Sequence, residues 1–375
     1  MNFVEHVAKT FVLAPAGIAV PKGSVADSPA GAAAAFAEIG PCVVKAQVPT
    51  GKRGKAGGIK TADTPDDARR TAEQILAMTI GGHRVSSVLL EERAEIAREF
   101  YAAVLLDVAS RGALVLFSAE GGMDIEELAA TSPSAIRKRT IAPGERFGVE
   151  EAAAMLSGLD LGNAAPAIAR VLSALHSLFV EKDAELIEIN PLAELADGRV
   201  VALDAKLTLD DSSASRQPEL AAMAAEEPMS ELERRGVEAG LKFIQLEGNV
   251  GVLANGAGLT MTTMDVISHF GGRPANFLEI GGEAYTKAEA ALDLVLSNPG
   301  VKSLVVNFCG AFARTDVMAE GVVRAWEALK PTVPVFFSIH GTGEERAVAL
   351  VRQQLGIEPY DLMEDAVQAA VEAAR

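Results

Sequence analysis

Apolar residues recur at helical spacing over the first twelve positions. Phe3, Val7 and Phe11, with Val4 and Val12, fall on one side, so the chain is expected to open on an amphipathic helix. Two further helix starts are marked by chemistry as well as by period. Ser28-Pro29 opens an alanine-rich segment that stops near Gly40. Thr64-Pro65-Asp66-Asp67 supplies a cap, a first-position proline and acids in the first turn. Between them CVVKAQV reads as a strand, and SSVLLEE follows as another. AREFYAAVLLDV and ALVLFSA read as a hairpin around Ser110-Arg111-Gly112, after which Asp124 is expected to cap a short acidic helix. AELIEINPLAEL and RVVALDAKL form a second hairpin around Ala196-Asp197-Gly198. The first half therefore reads as mostly antiparallel sheet with helices interposed. The polar, acidic stretch from Asp210 to Glu238 reads as a linker.

Beyond that stretch the pattern changes. NVGVLA, PANFLEI, VKSLVVNF and VPVFFSI are apolar runs with helical segments between them, which predicts buried strands in a parallel sheet. Each run ends in glycine: Gly256 and Gly258, Gly281-Gly282, Gly310, and Gly341 with Gly343. Those turns fall at the carboxyl ends of the strands, where open α/β sheets bind ligands.

Composition narrows the class. A chain of 375 residues with 49% apolar content supports two or three packed domains and excludes disorder. A net charge of -17 argues against a nucleic-acid partner or a membrane surface. Two cysteines, Cys42 and Cys309, are too few and too far apart for a disulfide framework or a zinc site, which fits a reducing compartment. No apolar run is expected to reach membrane-span length, and the N-terminus shows no cleavable apolar core, so the expected location is cytoplasmic.

Against this acidic background, KAQVPTGKRGKAGGIK, residues 45–60, places five basic residues among four glycines. It is not a Walker A loop, because Ala56 follows Gly54-Lys55 and no helix begins there. Its glycines would still let backbone N–H groups approach a phosphate, with Lys45 reaching in from the preceding strand. The alternative is a solvated basic hairpin turn.

A second constellation lies in the later hairpin. Glu188 and Asn190 share one strand face, and so do Asp204 and Lys206. A two-residue turn would pair Asn190 with Ala205. A three-residue loop with Gly198 left-handed pairs Asn190 with Asp204 and Glu188 with Lys206, and this register is the expectation. It sets a carboxylate beside an amide oxygen, a hard-oxygen site suited to magnesium (Mg2+) with a nucleotide supplying further ligands. A plain polar sheet face is the alternative. NGAGLTM, residues 255–261, follows a strand and opens a helix, yet Met261 occupies the third glycine position of a dinucleotide fingerprint. Of the five histidines only His340 falls at a ligand-facing strand end. His6, His83, His176 and His269 are expected on helix or loop surfaces, and Cys309 as a buried thiol.

Taken in order, QVPTGKRGKAGGIK, EGGMDIEELA, LIEINPL, LDAKL, NGAGLTMTTMD and GGRPANFLEIGG resemble the β-subunits of ADP-forming succinate–CoA ligases and of the related malate–CoA ligases, along nearly the whole chain. The resemblance implies an α/β chain, with an ATP-grasp domain over 1–229 and a flavodoxin-like CoA-ligase domain, a doubly wound parallel sheet, over 241–375. It implies ATP, Mg2+, coenzyme A and a small carboxylic acid of the succinate or malate type. It also implies an α-subunit partner that binds coenzyme A and carries a phosphorylated histidine. On matching positions, Lys45, the stretch Lys52-Arg53-Gly54, Glu91 and Glu99 would bind the nucleotide, and Ala94 stands where a threonine near the nucleotide is common. Asn190 and Asp204 would bind magnesium, and Glu188 would contact the partner's histidine. Asn255 and Ala311-Phe312-Ala313 would meet the acyl substrate. The sequence departs from the pattern at FFSIHGTG, where Ser338 and His340 stand in for an arginine and a glutamate, and at Phe312. Those departures raise the expectation of an acid other than plain succinate.

Overall fold

The two helix caps act as the sequence implies. Ser28 Oγ accepts from the Gly31 N–H at 3.2 Å and Thr64 Oγ1 from the Asp67 N–H at 3.1 Å. They start the helices Pro29–Ile39 and Pro65–Leu76. Both helices cover a four-stranded antiparallel sheet ordered Gly23–Ala26, Val88–Glu92, Cys42–Ala46, Ile59–Ala62. Phe36, Ala72 and Ile75 close its core against Val44 and Leu90.

The computed structural model describes residues 1–123, 125–226, 228–281 and 287–375. The expected cap at Asp124 and the glycine at Gly282 lie outside the described residues. The chain divides into two compact units, Met1–Pro228 and Met229–Arg375.

The first unit holds the small sheet and a second, larger antiparallel sheet. The long strands Ala184–Leu195 and Ile96–Asp107 form its centre, with Gly112–Ser118 and Ile136–Ile141 beyond them on one side. Val200–Ala202 and Lys206–Leu209 both pair with Ala184–Leu195 on the other side. The helix Ala165–Glu181 packs on this sheet through Ile168, Leu172 and Leu175. By length and composition the segment Gly162–Glu181 is apolar enough to span a membrane, which the sequence reading did not register, but half of it is buried in this core. His176 lies on the same helix. It is buried against Phe147, ring centroids 5.7 Å apart, rather than on the surface as expected.

The opening helix forms and buries Val7 and Val12 of its expected face, with Phe3 buried just ahead of it. It runs as a single α turn, Glu5–Val7, then as a wider π segment, Ala8–Leu13, then as a short 3-10 turn, Ala14–Ala16. Hydrogen bonds in a π segment reach one residue further than in an α-helix. The inward side therefore also takes in Glu5, Lys9 and Leu13, while Phe11 turns out to solvent.

The stretch read as a linker is ordered and divided. Leu220, on the turn of helix Pro218–Ala221, belongs to the core of the first unit. The helix Glu231–Glu238, started by a reciprocal Ser230–Glu233 cap, packs Leu232 into the second. There the five-stranded sheet runs Phe243–Gln245, Asn276–Ile280, Val250–Asn255, Ser303–Gly310, Val335–Gly341, and only the first pairing is antiparallel. Side chains alternate along each strand. Val250, Val252 and Ala254 meet the helices Ala257–His269 and Met363–Ala373 on one face. Leu253, Leu304 and Val306 meet Ala288–Ser297, Thr315–Leu329 and Glu344–Leu355 on the other. This is the doubly wound architecture, with its strand ends grouped on one edge.

Candidate functional site

The hairpin that carries the oxygen ligands takes the three-residue loop. Gly198 has φ 85°, a left-handed value that glycine adopts without a Cβ clash. Leu192 pairs with Ala202 and Glu188 with Lys206, so Asn190 falls opposite Asp204. Residues 203–205 leave the ladder at that point. Glu188, Asn190, Asp204 and Lys206 therefore line one cleft of ≈ 440 Å³, together with Gly51 to Lys55 of the basic loop and with Gly122, Met123, Ile125 and Glu126.

Three of these side chains, Glu188, Asn190 and Asp204, are already held. Asn190 Oδ1 accepts from the Gly122 N–H at 2.9 Å and its amide donates to Met123 O at 2.9 Å. Gly122 has φ 71°, and a Cβ there would lie 2.2 Å from Glu99 Oε2, so only glycine fits over Glu99. Asp204 accepts from Arg53 and from the Ala205 N–H. Glu188 accepts from the Tyr101 hydroxyl at 3.0 Å. Burial pushes the Glu188 carboxyl above the usual range, against the Tyr101 hydrogen bond and Lys206, which pull it down.

The basic loop joins the strands Cys42–Ala46 and Ile59–Ala62, so it is a hairpin loop, but not a solvated one throughout. Arg53 is only 5% exposed. Its guanidinium meets Ala46 O at 3.0 Å, Glu5 Oε2 at 2.8 Å, and Asp204. Gly58 packs where a Cβ would meet Ile80 Cδ1 at 2.6 Å. Lys52 and Gly54 line the open cleft, with Lys52 mostly in solvent.

Lys45 is buried and lies 2.9 Å from Glu5 Oε1, 2.6 Å from Glu91 Oε2 and 2.5 Å from Leu203 O. Lys9 makes the same set of contacts, to Glu5 at 2.6 Å, Glu91 at 2.8 Å and Leu203 O at 2.6 Å. Burial would raise the Glu5 carboxyl and lower the Lys45 ammonium. The surrounding opposite charges win in both cases, holding Glu5 well below its usual range and Lys45 above its own. Lys9, Lys45 and Arg53 thus balance Glu5, Glu91 and Asp204. Lys45, Glu91 and Ala94 also line an adjoining cleft of ≈ 350 Å³ walled by Val43, Ile59, Ile96, Pro191 and Leu203. Such flat apolar walls beside two cations suit a ring with a phosphate tail. Glu99 lines neither cleft; its carboxylate lies against Gly122.

Sequence reasoning missed Glu5, Lys9 and Tyr101. A signal was present for the first two: a Glu–Lys pair four apart, on the same stripe as Val12.

The oxygens of Asn190 and Asp204 fit magnesium. Among the described residues no group of three or more His, Cys, Asp or Glu could hold a metal. Magnesium binds through one or two protein oxygens and completes its shell with phosphate and water, so a sparse donor set is its chemistry.

The remaining candidates lie at the strand ends of the second unit. Asn255 spans two strands, its amide donating to Cys309 O and its oxygen accepting from Cys309 N–H, both at 2.8 Å. Ala311 O accepts from Thr342 Oγ1 at 2.7 Å and Gly310 O from Thr342 N–H at 2.8 Å, which pins the loop carrying Ala311, Phe312 and Ala313. Phe312 is fully exposed. Cys309, near the end of its strand, is exposed, not buried as expected. Ser338 is fully buried and its hydroxyl has no hydrogen-bond partner. His340 is half-exposed, with Nδ1 3.6 Å from Glu344.

Comparison with known proteins agrees with this division. Residues 2–194 match the ATP-grasp domain family and residues 253–371 the CoA-ligase family. The ADP-forming succinate–CoA ligase β-subunit of Chloroflexus aurantiacus is 46% identical over 380 aligned residues, covering 100% of this chain and 99% of that one. The GDP-forming succinate–CoA ligase β-subunit of Thermus thermophilus is 44% identical, covering 94% of this chain and 93% of its own. Among solved structures, ATP citrate lyase from Methanothrix soehngenii in complex with citrate and coenzyme A superposes with a TM-score of 0.74 at 23% identity, covering 99% of both chains, a likeness of fold. The chain belongs to the family of succinate–CoA ligase β-subunits, with an ATP-grasp domain followed by a CoA-ligase domain.

Proposed function

We propose that this chain is the nucleotide-handling subunit of a heteromeric, ADP-forming carboxylate–CoA ligase. ATP phosphorylates a histidine of an α-subunit, the phosphoryl group passes to a small carboxylate of the succinate or malate type, and coenzyme A displaces it to give the thioester. The observation that carries this reading is the convergence of Lys45, Arg53, Glu188, Asn190 and Asp204 on adjoining clefts in the first unit.

Phosphoryl transfer needs positioning and charge neutralisation more than a strong nucleophile. Lys45 and Arg53 supply fixed positive charge. Lys52 and the glycines of its loop close over the phosphates. Asn190 and Asp204 hold magnesium, which when bound draws charge from the phosphate oxygens. Glu188, held by Tyr101, faces the place where the partner's histidine enters. The strand-end edge of the second unit, with Asn255 and Ala311-Phe312-Ala313, meets the acid.

Reconstitution with its α-subunit tests the reading. With ATP or GTP, magnesium, coenzyme A and either succinate or malate, the pair is expected to form thioester and a phosphorylated histidine. The chain alone forms neither. Thioester synthesis by the purified chain alone would refute the proposal.

A further inference from the structure

Glu5 has no part in the reading above, yet every cation of the buried cluster meets it. Its Oε1 lies 2.6 Å from Lys9 Nζ and 2.9 Å from Lys45 Nζ, and its Oε2 lies 2.8 Å from Arg53 Nη1. The helical segment that carries it is anchored in the large-sheet core through Val7, Ala8, Val12 and Leu13. Lys45 and Glu91 sit on strands whose neighbours Val44 and Leu90 belong to the separate small-sheet core. One carboxylate therefore joins the two cores at the cleft. Lys9 seats that carboxylate and adds a second tie through Glu91 and Leu203 O.

We infer that Glu5, seated by Lys9, is a positioning residue for the nucleotide site, acting on the phosphates only through Lys45 and Arg53. A lysine ammonium has three donors. Glu5, Glu91 and Leu203 O occupy those of Lys45, so a phosphate oxygen can replace one acceptor while the other two keep the ammonium in place. Arg53 is fixed in the same way between Glu5 and Ala46 O, with one edge turned to Asp204. Both long side chains have lost their rotamer freedom before any nucleotide arrives.

The inference rests on the nucleotide reading of Lys45 and Arg53, and the test separates the two. The charge-balanced variant Glu5→Gln/Lys9→Met leaves Lys45 and Arg53 facing Glu91 and Asp204. Reconstituted with the α-subunit, it should raise the nucleotide KM roughly ten- to a hundredfold while the KM values for acid and coenzyme A stay unchanged. Magnesium–ATP should no longer raise its Tm. Glu5→Asp keeps the charge but withdraws it by one methylene, and should raise the nucleotide KM about threefold or more. A folded double variant with wild-type nucleotide KM overturns the inference. Failure of both Glu5 variants to fold makes the residue purely structural and overturns it as well. If Lys45→Met also binds nucleotide normally, the nucleotide reading itself has failed. If Lys45→Met loses the nucleotide and the double variant keeps it, only the role of Glu5 has.

Discussion

The two units treat their candidate residues in opposite ways. In the first, Glu5, Lys9, Lys45, Arg53 and Glu91 are buried and ion-paired with one another before any ligand is present. In the second, the strand-end candidates are tied down by hydrogen bonds between side chains and backbone, and what they offer outward is a bare phenyl ring and an exposed thiol. Desolvating charge is costly, and it is tolerated only where opposite charges and hydrogen bonds are complete. The first site is thus built within the chain, and it gains fixed geometry at the cost of stability. The second is an edge, rigid in its backbone and open on its outer side. That contrast fits the proposed division of labour, in which the nucleotide is held by this chain and the acid is held where the partner completes the surface.

The largest test of the contrast removes a group from the built site. Asp204→Ala takes away a proposed magnesium oxygen and one acceptor of Arg53 together. Turnover of the reconstituted enzyme should fall about 10²- to 10³-fold or more. Arg53 keeps Glu5 and Ala46 O, so the far-UV circular dichroism should be retained. Near-wild-type turnover at ordinary magnesium would mean that Asp204 binds no metal.

Much of this was legible in the sequence because it is local. Ser28 and Thr64 announce their helices within four residues, and the loop at Gly198 fixes the register that sets Asn190 opposite Asp204. The buried cluster was not legible because its partners are distant. Lys9 meets Glu91 82 positions away and Leu203 O 194 positions away, and the Glu5–Lys9 spacing, though local, does not name those partners. The depth of Ser338 and the exposure of Cys309 escaped for the converse reason. Both depend on what the rest of the chain lays over the strand ends, which strand periodicity does not encode.

A smaller change sharpens the claim that the built site works by fixed orientation. Tyr101→Phe removes only the hydroxyl that donates to Glu188. A hydrogen bond to a charged group contributes about 1.5–3 kcal/mol, so phosphorylation of the partner should slow roughly 10- to 100-fold. Nucleotide KM should not change, because Tyr101 lines neither cleft. Equal losses in nucleotide binding and in rate would place Tyr101 in general packing instead. In a Glu188→Ala background the same substitution should have no further effect, as expected when one residue acts through another.

On the open edge the expected effect is smaller again. Phe312 is 103% exposed, so Phe312→Ala should leave stability within about 0.5 kcal/mol of wild type. Nucleotide binding by the chain should be untouched. The loss, up to about tenfold, should fall on the KM for the acid or on affinity for the partner. If the loss fell on the nucleotide instead, the separation of the two sites would be wrong.

The smallest effect is on stability against pH, and it also distinguishes the units. His176 lies in the core of the first unit, and burial pushes its imidazole below the ordinary value of about 6.5, against a weaker opposing pull from Glu145. His6, on the opening helix, is lowered as well, first by burial. In the unfolded chain these rings take up protons as pH falls through about 6.5, while in the folded chain they do so only lower, so the unfolded state gains protons first. Stability must therefore decline as pH drops from 7 towards 5. In the second unit the buried carboxyl of Asp316 is held below its usual range by Arg314, so it stays ionised across that window and contributes no slope there. Measured on the full chain, His176→Leu should flatten the fall of Tm between pH 7 and pH 5, and His6 should keep it from vanishing. An unchanged slope would mean that the ring reaches solvent freely on protonation, and that the burial of ionisable groups in the first unit is confined to the cleft.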